Sequence, residues 1–348
     1  MIKVGIVGAT GYAGAELVRL LQGHPQAQII HLVSESMAGS EMEAVYPSLL
    51  GVYTATTEAL DAQALGRDCD IVFTALPHHI SAKVVPHIHE AGARVIDLSG
   101  DFRYDDPAVY EQWYGQAHPY PDLMRSAVYG LPELPGNRAA IASAGVVANP
   151  GCYTTCSILT LSPALAGGFI RPEGIIIDAK SGVTGAGRKA TQELHFCEQQ
   201  DNFKAYKVTG HRHTSEIEQE LSKVAGTPVT LTFTPHLLPV KRGILATIYA
   251  QAQAGLDVEE LRSAYLRYFE GHPFIIIRSA GSLPELKHVN GSNYLHIGME
   301  LDRRTGRLIL VACLDNLVKG AAGQAIQNMN LMFGLDETTG LKAPAYYL

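Results

Sequence analysis

The chain has little of what marks several large protein classes. Its five cysteines, Cys69, Cys152, Cys156, Cys197 and Cys313, are odd in number, and none forms a Cys-x-x-Cys pair. That argues against a disulfide framework or a zinc knuckle, and no metal is expected. No run approaches the ~18–20 apolar residues of a membrane helix. Met1-Ile2-Lys3 leads directly into Val4-Gly5-Ile6-Val7-Gly8, a strand start rather than a signal peptide. A cytoplasmic protein without a membrane partner is expected. Basic excess is also missing. Lys and Arg number 27 against 34 Asp and Glu, for a formal charge of −7, so no nucleic-acid partner is expected. Repeats, low-complexity tracts and flexible linkers are absent too.

What is present is apolar and long. Hydrophobic residues make up 47% of 348, enough for large cores and about two domains at ~150 residues each. The first ~150 residues alternate strand and helix signals, the pattern of a parallel α/β sheet. Strands are expected at Lys3–Val7, Gln28–Val33, Asp70–Ala75 and Arg94–Leu98, and helices at Ala13–Leu21 and Ser81–Glu90. The texture then changes. Gly174–Ala179, Val229–Pro235, Leu245–Gln251 and Leu308–Cys313 read as strands of a second sheet with fewer crossover helices. Asp315–Phe333 reads as one long helix, and Asp336–Leu348 as irregular.

Gly8-Ala9-Thr10-Gly11-Tyr12-Ala13-Gly14 follows the first strand and opens the first helix. Gly8 permits a tight turn, Gly11 lets the backbone approach a pyrophosphate, and Gly14 lets helix and strand pack closely. A dinucleotide site is expected there. Strand two ends in Ser34-Glu35-Ser36. Glu35, 21 residues after Gly14, could bind the 2′-hydroxyl of NAD, or Ser34 and Ser36 could donate to a 2′-phosphate. Spacing leaves NAD and NADP both open.

Asn149-Pro150-Gly151-Cys152 delivers a cysteine to the start of an expected helix. Unpaired N–H groups and the helix dipole favour thiolate there. The other cysteines read as buried small hydrophobes, with Cys197 undecided. A thiolate beside a hydride carrier suits reduction of an activated acyl group through a thioester, which needs an acid/base near neutral pKa. Of fourteen histidines, His211 and His213 are the candidates, with Ser215 and Glu218 fitting a capping box that puts both imidazoles just before a helix. An exposed loop cluster is the alternative. Arg103 follows a strand end, where α/β sheets bind ligands, and could anchor phosphate or pair with Asp101 or Asp105. Ser181–Lys189 offers a glycine-rich loop with Arg188 and Lys189, suited to an anion.

Gly8–Gly14, Leu98–Arg103, Pro150–Tyr153, Ser181–Lys189, His211–His213 and Asp315–Ala322 stand in one order, and in them the chain resembles the N-acetyl-gamma-glutamyl-phosphate reductases, relatives of aspartate-semialdehyde dehydrogenases. The resemblance implies an α/β fold. It consists of a Rossmann-type doubly wound parallel sheet, residues 1–149 and 315–348, and an α+β substrate and dimerisation domain, residues 150–314, with a mixed or antiparallel sheet. It implies NADPH-dependent reduction of a small acyl phosphate in arginine biosynthesis, with Cys152 as nucleophile, His213 as base and His211 close by. Gly8, Thr10, Gly11, Tyr12, Ala13, Gly14, Ser34, Ser36, Ser181, Gly182 and Asn316 would hold NADP(H), Asn316 near the nicotinamide. Arg103, Asn149, Arg188 and Lys189 would hold substrate. A homodimer or homotetramer is implied. The competing readings are an aspartate-semialdehyde dehydrogenase, a reductase of carrier-protein-linked aminoadipyl phosphate, and a dinucleotide-binding redox sensor.

Overall fold

A computed structural model describes residues 1–347; Leu348, the last residue of the expected irregular tail, lies outside the described residues. The chain forms two compact units. The first comprises Met1–Pro132, Gly136–Gly151 and Ala321–Lys342; the second comprises Glu133–Pro135, Cys152–Gly320 and the residues from Ala343. Among the described residues no helix is long and apolar enough to cross a membrane.

The first unit is built on six strands: β1 (Ile2–Val7), β2 (Ala27–Val33), β3 (Ile71–Thr74), β4 (Arg94–Asp97), β5 (Val128–Tyr129) and β6 (Val146–Ala148). They pair in parallel in the order β2-β1-β3-β4-β6-β5. Every residue of β3 and β6 is buried, as expected for strands covered on both faces. The chain moves to one side of β1 for β2 and to the other for β3. The β1/β3 boundary is therefore the switch point, where such sheets bind ligands at the carboxyl ends of their strands. The four strands expected from sequence match to within about a residue. β5 and β6, two and three residues long, are too short for periodicity to reveal. Helix Gly323–Met332 closes the unit and is buried nearly all round. Its polar side chains are accommodated by specific bonds: Asn328 Nδ2 donates to the Gly130 carbonyl at 3.0 Å and to Asn149 Oδ1 at 3.1 Å.

The second unit carries a seven-stranded mixed sheet: β7 (Ile175–Gly182), β8 (Lys204–Ala205), β9 (Leu231–Leu238), β10 (Ile244–Gln251), β11 (Ile275–Ile277), β12 (Leu295–Asp302) and β13 (Arg307–Leu314), in the order β11-β12-β13-β10-β7-β9-β8. Burial alternates strictly along β9 and β10, so one face is core and the other more open. Helix Cys152–Ala166 packs on the core face and is buried from Tyr153 to Leu165. Two of its hydroxyls bond within the helix, Thr160 to the Cys156 carbonyl at 2.6 Å and Ser162 to that of Ile158 at 2.7 Å, which satisfies these two without partners from outside.

Two expectations fail locally. The expected helix from Asp315 does not begin there. The Asp315 carboxylate takes the Leu317 and Val318 N–H groups, a π-turn spans Val318–Ala322, and the α-helix starts only at Gly323. Nor does the tail belong wholly with the first unit. Tyr346 N–H donates to the Asn290 carbonyl at 3.2 Å, and its ring lies where a Cβ on Gly291 would stand, 2.0 Å away.

Candidate active site

In the first unit, the turn after β1 is shaped by what glycine lacks. Gly8 adopts φ +87°, and a Cβ there would lie 2.4 Å from the Ala75 carbonyl just past β3. A Cβ on Gly14 would lie 2.2 Å from the Gly8 carbonyl, so helix α1 (Tyr12–Gln22) sits directly on the turn. Gly11 is the extended N-cap of α1 and has no side-chain cap; the first turn carries no acid. The N–H groups and positive dipole end of Tyr12, Ala13 and Gly14 are thus presented at the switch point. The turn is fastened from outside: the Thr10 and Ser34 hydroxyls, both buried, are 2.7 Å apart, and Tyr46 OH donates to the Thr10 carbonyl at 3.0 Å. This turn, whose close packing a Cβ on Gly8 or Gly14 would break, fits the pyrophosphate of a dinucleotide. Beyond β2, the Glu35 carboxylate accepts the Leu60 N–H at 2.9 Å, and Ser36 is exposed.

Past β4, buried Asp97 receives the hydroxyls of Thr74 at 2.7 Å, Ser99 at 2.5 Å and Ser81; burial raises its carboxyl pKa, against those bonds. Arg103 is also buried. Its Nε donates to the Asn149 carbonyl and Nη2 to that of Leu98, each at 2.8 Å, joining the chain beyond β6 to that beyond β4. The Asn149 amide donates to the Ala321 carbonyl at 3.1 Å and accepts from Asn328.

In the second unit, Cys152 is the first residue of α2 (Cys152–Ala166), after Pro150-Gly151, with no acid in its first turn. It is half-buried, whereas Cys69, Cys156 and Cys313 are buried and Cys197 is exposed. Burial pushes the Cys69 thiol up to about 12 and raises Cys156 and Cys313 as well, so these three are inert. His213 is likewise the first residue of its helix, α3 (His213–Ala225). The two first turns are bolted together: Thr154 Oγ1 donates to Glu216 Oε1 at 2.8 Å, both fully buried.

The capping box is not formed. Ser215 Oγ donates back to the Arg212 carbonyl at 3.0 Å, and Glu218 accepts the Leu231 N–H at 3.0 Å. His211 provides the acceptor instead: its Nδ1 takes the His213 N–H at 3.2 Å. The His211 ring is 4.6 Å from that of His213 and is met edge-on by Tyr153 at 5.9 Å, Tyr206 at 5.7 Å and Phe233 at 5.3 Å. Burial first, then Lys207 and Arg212, lower His211 to about 4, so it is neutral at physiological pH. Tyr206 OH donates to Tyr153 OH, which donates to the His236 carbonyl, each at 3.3 Å. Burial raises Tyr153 and pushes Tyr206 up to about 12, so both stay protonated. Tyr206, Phe233 and His236 are absent from the sequence reading. They reach the cluster from β9 and its edge, and no local spacing marks them.

Ser181 is buried and donates to the Gly182 carbonyl at 2.9 Å. The N–H groups of Gly182, Val183 and Thr184 are held by the carbonyls of Gly243, Val240 and Lys241, so this part of the loop does not offer them to an anion. Arg188 and Lys189, past Gly187, are exposed. Asn316 accepts the Gly243 N–H at 2.8 Å and donates to Thr184 Oγ1 at 3.0 Å. It braces this loop.

Two family descriptions match: "Semialdehyde dehydrogenase, NAD binding domain" over residues 3–144 and "Semialdehyde dehydrogenase, dimerisation domain" over 152–316. An N-acetyl-gamma-glutamyl-phosphate reductase of Pelotomaculum thermopropionicum is 51% identical over 346 residues, 99% of each chain, and one of Geobacter metallireducens is 52% identical over 343 residues, 98% of each. The chain belongs to the N-acetyl-gamma-glutamyl-phosphate reductase family. It is an oxidoreductase with a nicotinamide dinucleotide cofactor, and its second half is of the family's dimerisation type. The reductase fold extends to more distant proteins. Aspartate semialdehyde dehydrogenase II of Vibrio cholerae superposes with a TM-score of 0.73 at 21% identity, covering 96% of this chain and 98% of that one. The Candida albicans enzyme with NADP superposes at 0.69 and 16% identity, covering 96% and 99%.

Proposed function

We propose that the chain reduces N-acetyl-L-glutamyl 5-phosphate to N-acetyl-L-glutamate 5-semialdehyde with release of phosphate, using NADPH, in cytoplasmic arginine biosynthesis. The observation that carries the catalytic reading is the bolting of two helix starts, one beginning with half-buried Cys152 and the other with His213, by the buried Thr154–Glu216 bond. The α2 N-terminus favours the thiolate, and His213 takes the thiol proton. Cys152 sulfur attacks the acyl carbonyl, the carbon–oxygen bond to phosphate breaks, and His213 returns its proton to the departing phosphate. A thioester remains on Cys152. A bound dinucleotide would supply the hydride that reduces this thioester, which Cys152 holds in place. The resulting alkoxide on the Cys152 adduct collapses, the carbon–sulfur bond breaks, and aldehyde and thiolate are released. His211, held neutral, orients His213 and does not carry the proton.

Arg188 and Lys189 are assigned to the substrate's anionic groups; Arg103 and Asn149 are assigned to the substrate through the strand ends they shape. Ser181, Gly182 and Asn316 are assigned to the cofactor through the loop they brace. Preference for NADP is supported by Glu35, whose carboxylate is committed to the Leu60 N–H, and by Ser36, exposed on the same turn. A homodimer or homotetramer through the open face of the second sheet is supported by the dimerisation-domain match.

The test is a substrate comparison followed by NADPH oxidation. N-acetylglutamyl phosphate is expected to exceed β-aspartyl phosphate in kcat/KM by about 100-fold or more, since a site built for polar groups rejects analogues lacking them. Equal or faster turnover of aspartyl phosphate overturns the assignment.

A further inference from the structure

A fully buried ion pair of the second unit joins Lys319 Nζ to Glu133 Oε1 at 2.7 Å, across 186 residues of sequence. The two side chains are 0% and 1% exposed. Lys319 Nζ also stands 5.5 Å above the Phe274 ring, a favourable placement for a desolvated cation. Taking two charges out of water is costly, and apolar substitutes of similar volume often serve stability as well. A pair kept at this depth is best understood by the geometry it imposes.

That geometry leads to the nucleophile. Lys319 lies in the π-turn, closed by the Gly320 N–H donating to the Asp315 carbonyl at 2.9 Å. The turn is anchored at its start: Asp315 Oδ2 accepts the Gly291 N–H at 2.7 Å, and Arg242 reaches the same oxygen at 3.3 Å. Gly320 follows the paired lysine immediately, and a Cβ on it would lie 2.7 Å from the Cβ of Cys152. The backbone at Gly320 is therefore the wall against which Cys152 rests. On the acceptor side, Glu133 lies between Pro132 and Pro135, whose rings restrict the segment. A stiff acceptor, a buried charge pair and a π-turn form one rigid linkage ending at Cys152; π-turns of this kind recur at functional sites.

We propose that Glu133 and Lys319 are positioning residues for the nucleophile: their ion pair sets the π-turn so that Gly320 holds the Cys152 side chain in its reactive place. The proposal rests on reading Cys152 as the nucleophile. It requires that loosening the pair disturb the thiol before it disturbs cofactor binding.

The double variant Glu133→Gln/Lys319→Met removes both charges together and leaves no lone buried ion. Iodoacetamide alkylation of Cys152 is followed against pH, alongside kcat, KM and dinucleotide affinity. The expected result is alkylation and kcat each reduced about tenfold or more, as small misplacements of a reacting group can do, with dinucleotide affinity unchanged. A wild-type alkylation profile and wild-type kcat overturn the proposal. If the double variant does not fold, Glu133→Asp keeps the charge and shortens its reach. A lowered Tm with slower Cys152 alkylation supports the linkage; a lowered Tm with an unchanged alkylation profile overturns it. Cys152→Ser separates the two readings: retained turnover there removes the nucleophile assignment, while alkylation of the wild-type thiol still reports its placement.

Discussion

In the first unit, the groups we propose for the cofactor belong to the main chain: the N–H groups at the start of α1, on a turn that can close because Gly8 and Gly14 carry no Cβ. In the second unit they are side chains, and each is held by others. Cys152 rests on Gly320, His213 is tethered through His211, and His211 is walled by Tyr153, Tyr206 and Phe233. A backbone site depends on space, so it should fail when an atom is added. A side-chain site depends on identity, so it should fail when an atom is exchanged.

The largest effect should come from exchanging one atom in the second unit. Cys152→Ser replaces sulfur by oxygen and should lower turnover by about 10³-fold or more, because a serine hydroxyl lacks the thiolate's nucleophilicity. Dinucleotide affinity, measured by fluorescence titration, should stay within about twofold if the first unit's site is independent. A parallel loss of affinity would break the comparison.

The converse change adds one carbon to the first unit. Gly14→Ala puts a methyl 2.2 Å from the Gly8 carbonyl, where backbone must move. Overpacking of this kind costs about 1–3 kcal/mol, so dinucleotide affinity should fall roughly ten- to a hundredfold. The alkylation rate of Cys152 should not change. A variant that binds cofactor normally would show that the helix–turn contact is not what shapes the cradle.

The same difference explains what could be read in advance. The glycine loop, its strand and its helix are contiguous, so spacing alone carries the argument, and the first four strands fall where apolar runs lie. Cys152 and His213 were legible as helix-start residues. Their environment was not. Tyr206, Phe233 and Gly320 reach the cluster by sheet pairing and by a turn, at separations that leave no local pattern. The capping box misled because Ser215 and Glu218 have the right spacing but other partners: the Arg212 carbonyl and the Leu231 N–H. The helix expected from Asp315 misled because its composition is helical, while the Asp315 carboxylate captures the first N–H groups.

A smaller effect bears on His211 alone. Its Nδ1 accepts the His213 N–H, a role that asparagine can imitate from the Nδ1 position and glutamine, reaching toward Nε2, cannot. His211→Asn should retain most of kcat, while His211→Gln should lose several-fold, in keeping with the ~1 kcal/mol of a helix-start acceptor. Neither should move the acid limb of the kcat/KM profile, since the proposed base is His213. A shift of that limb in His211→Asn would make His211 the proton carrier.

The smallest effect is in stability against pH. His211 is lowered from 6.5 to about 4 by burial and the neighbouring cations. Between those values the unfolded chain binds a proton there that the folded chain does not. Stability from this group is therefore complete above about 6.5 and declines as pH falls toward 4, by at most about 1.4 kcal/mol per unit and less for a half-buried ring. His24, His118 and His296 are also lowered by burial, so the wild-type curve sums all four. Subtracting the His211→Asn curve isolates one. In urea titrations, the stability gap between wild type and His211→Asn should be widest near pH 8 and narrow toward pH 5. A gap constant across that range would mean that the aromatic walls around His211 do not keep its ring neutral. The second unit's site would then lose the feature that most distinguishes it from the first.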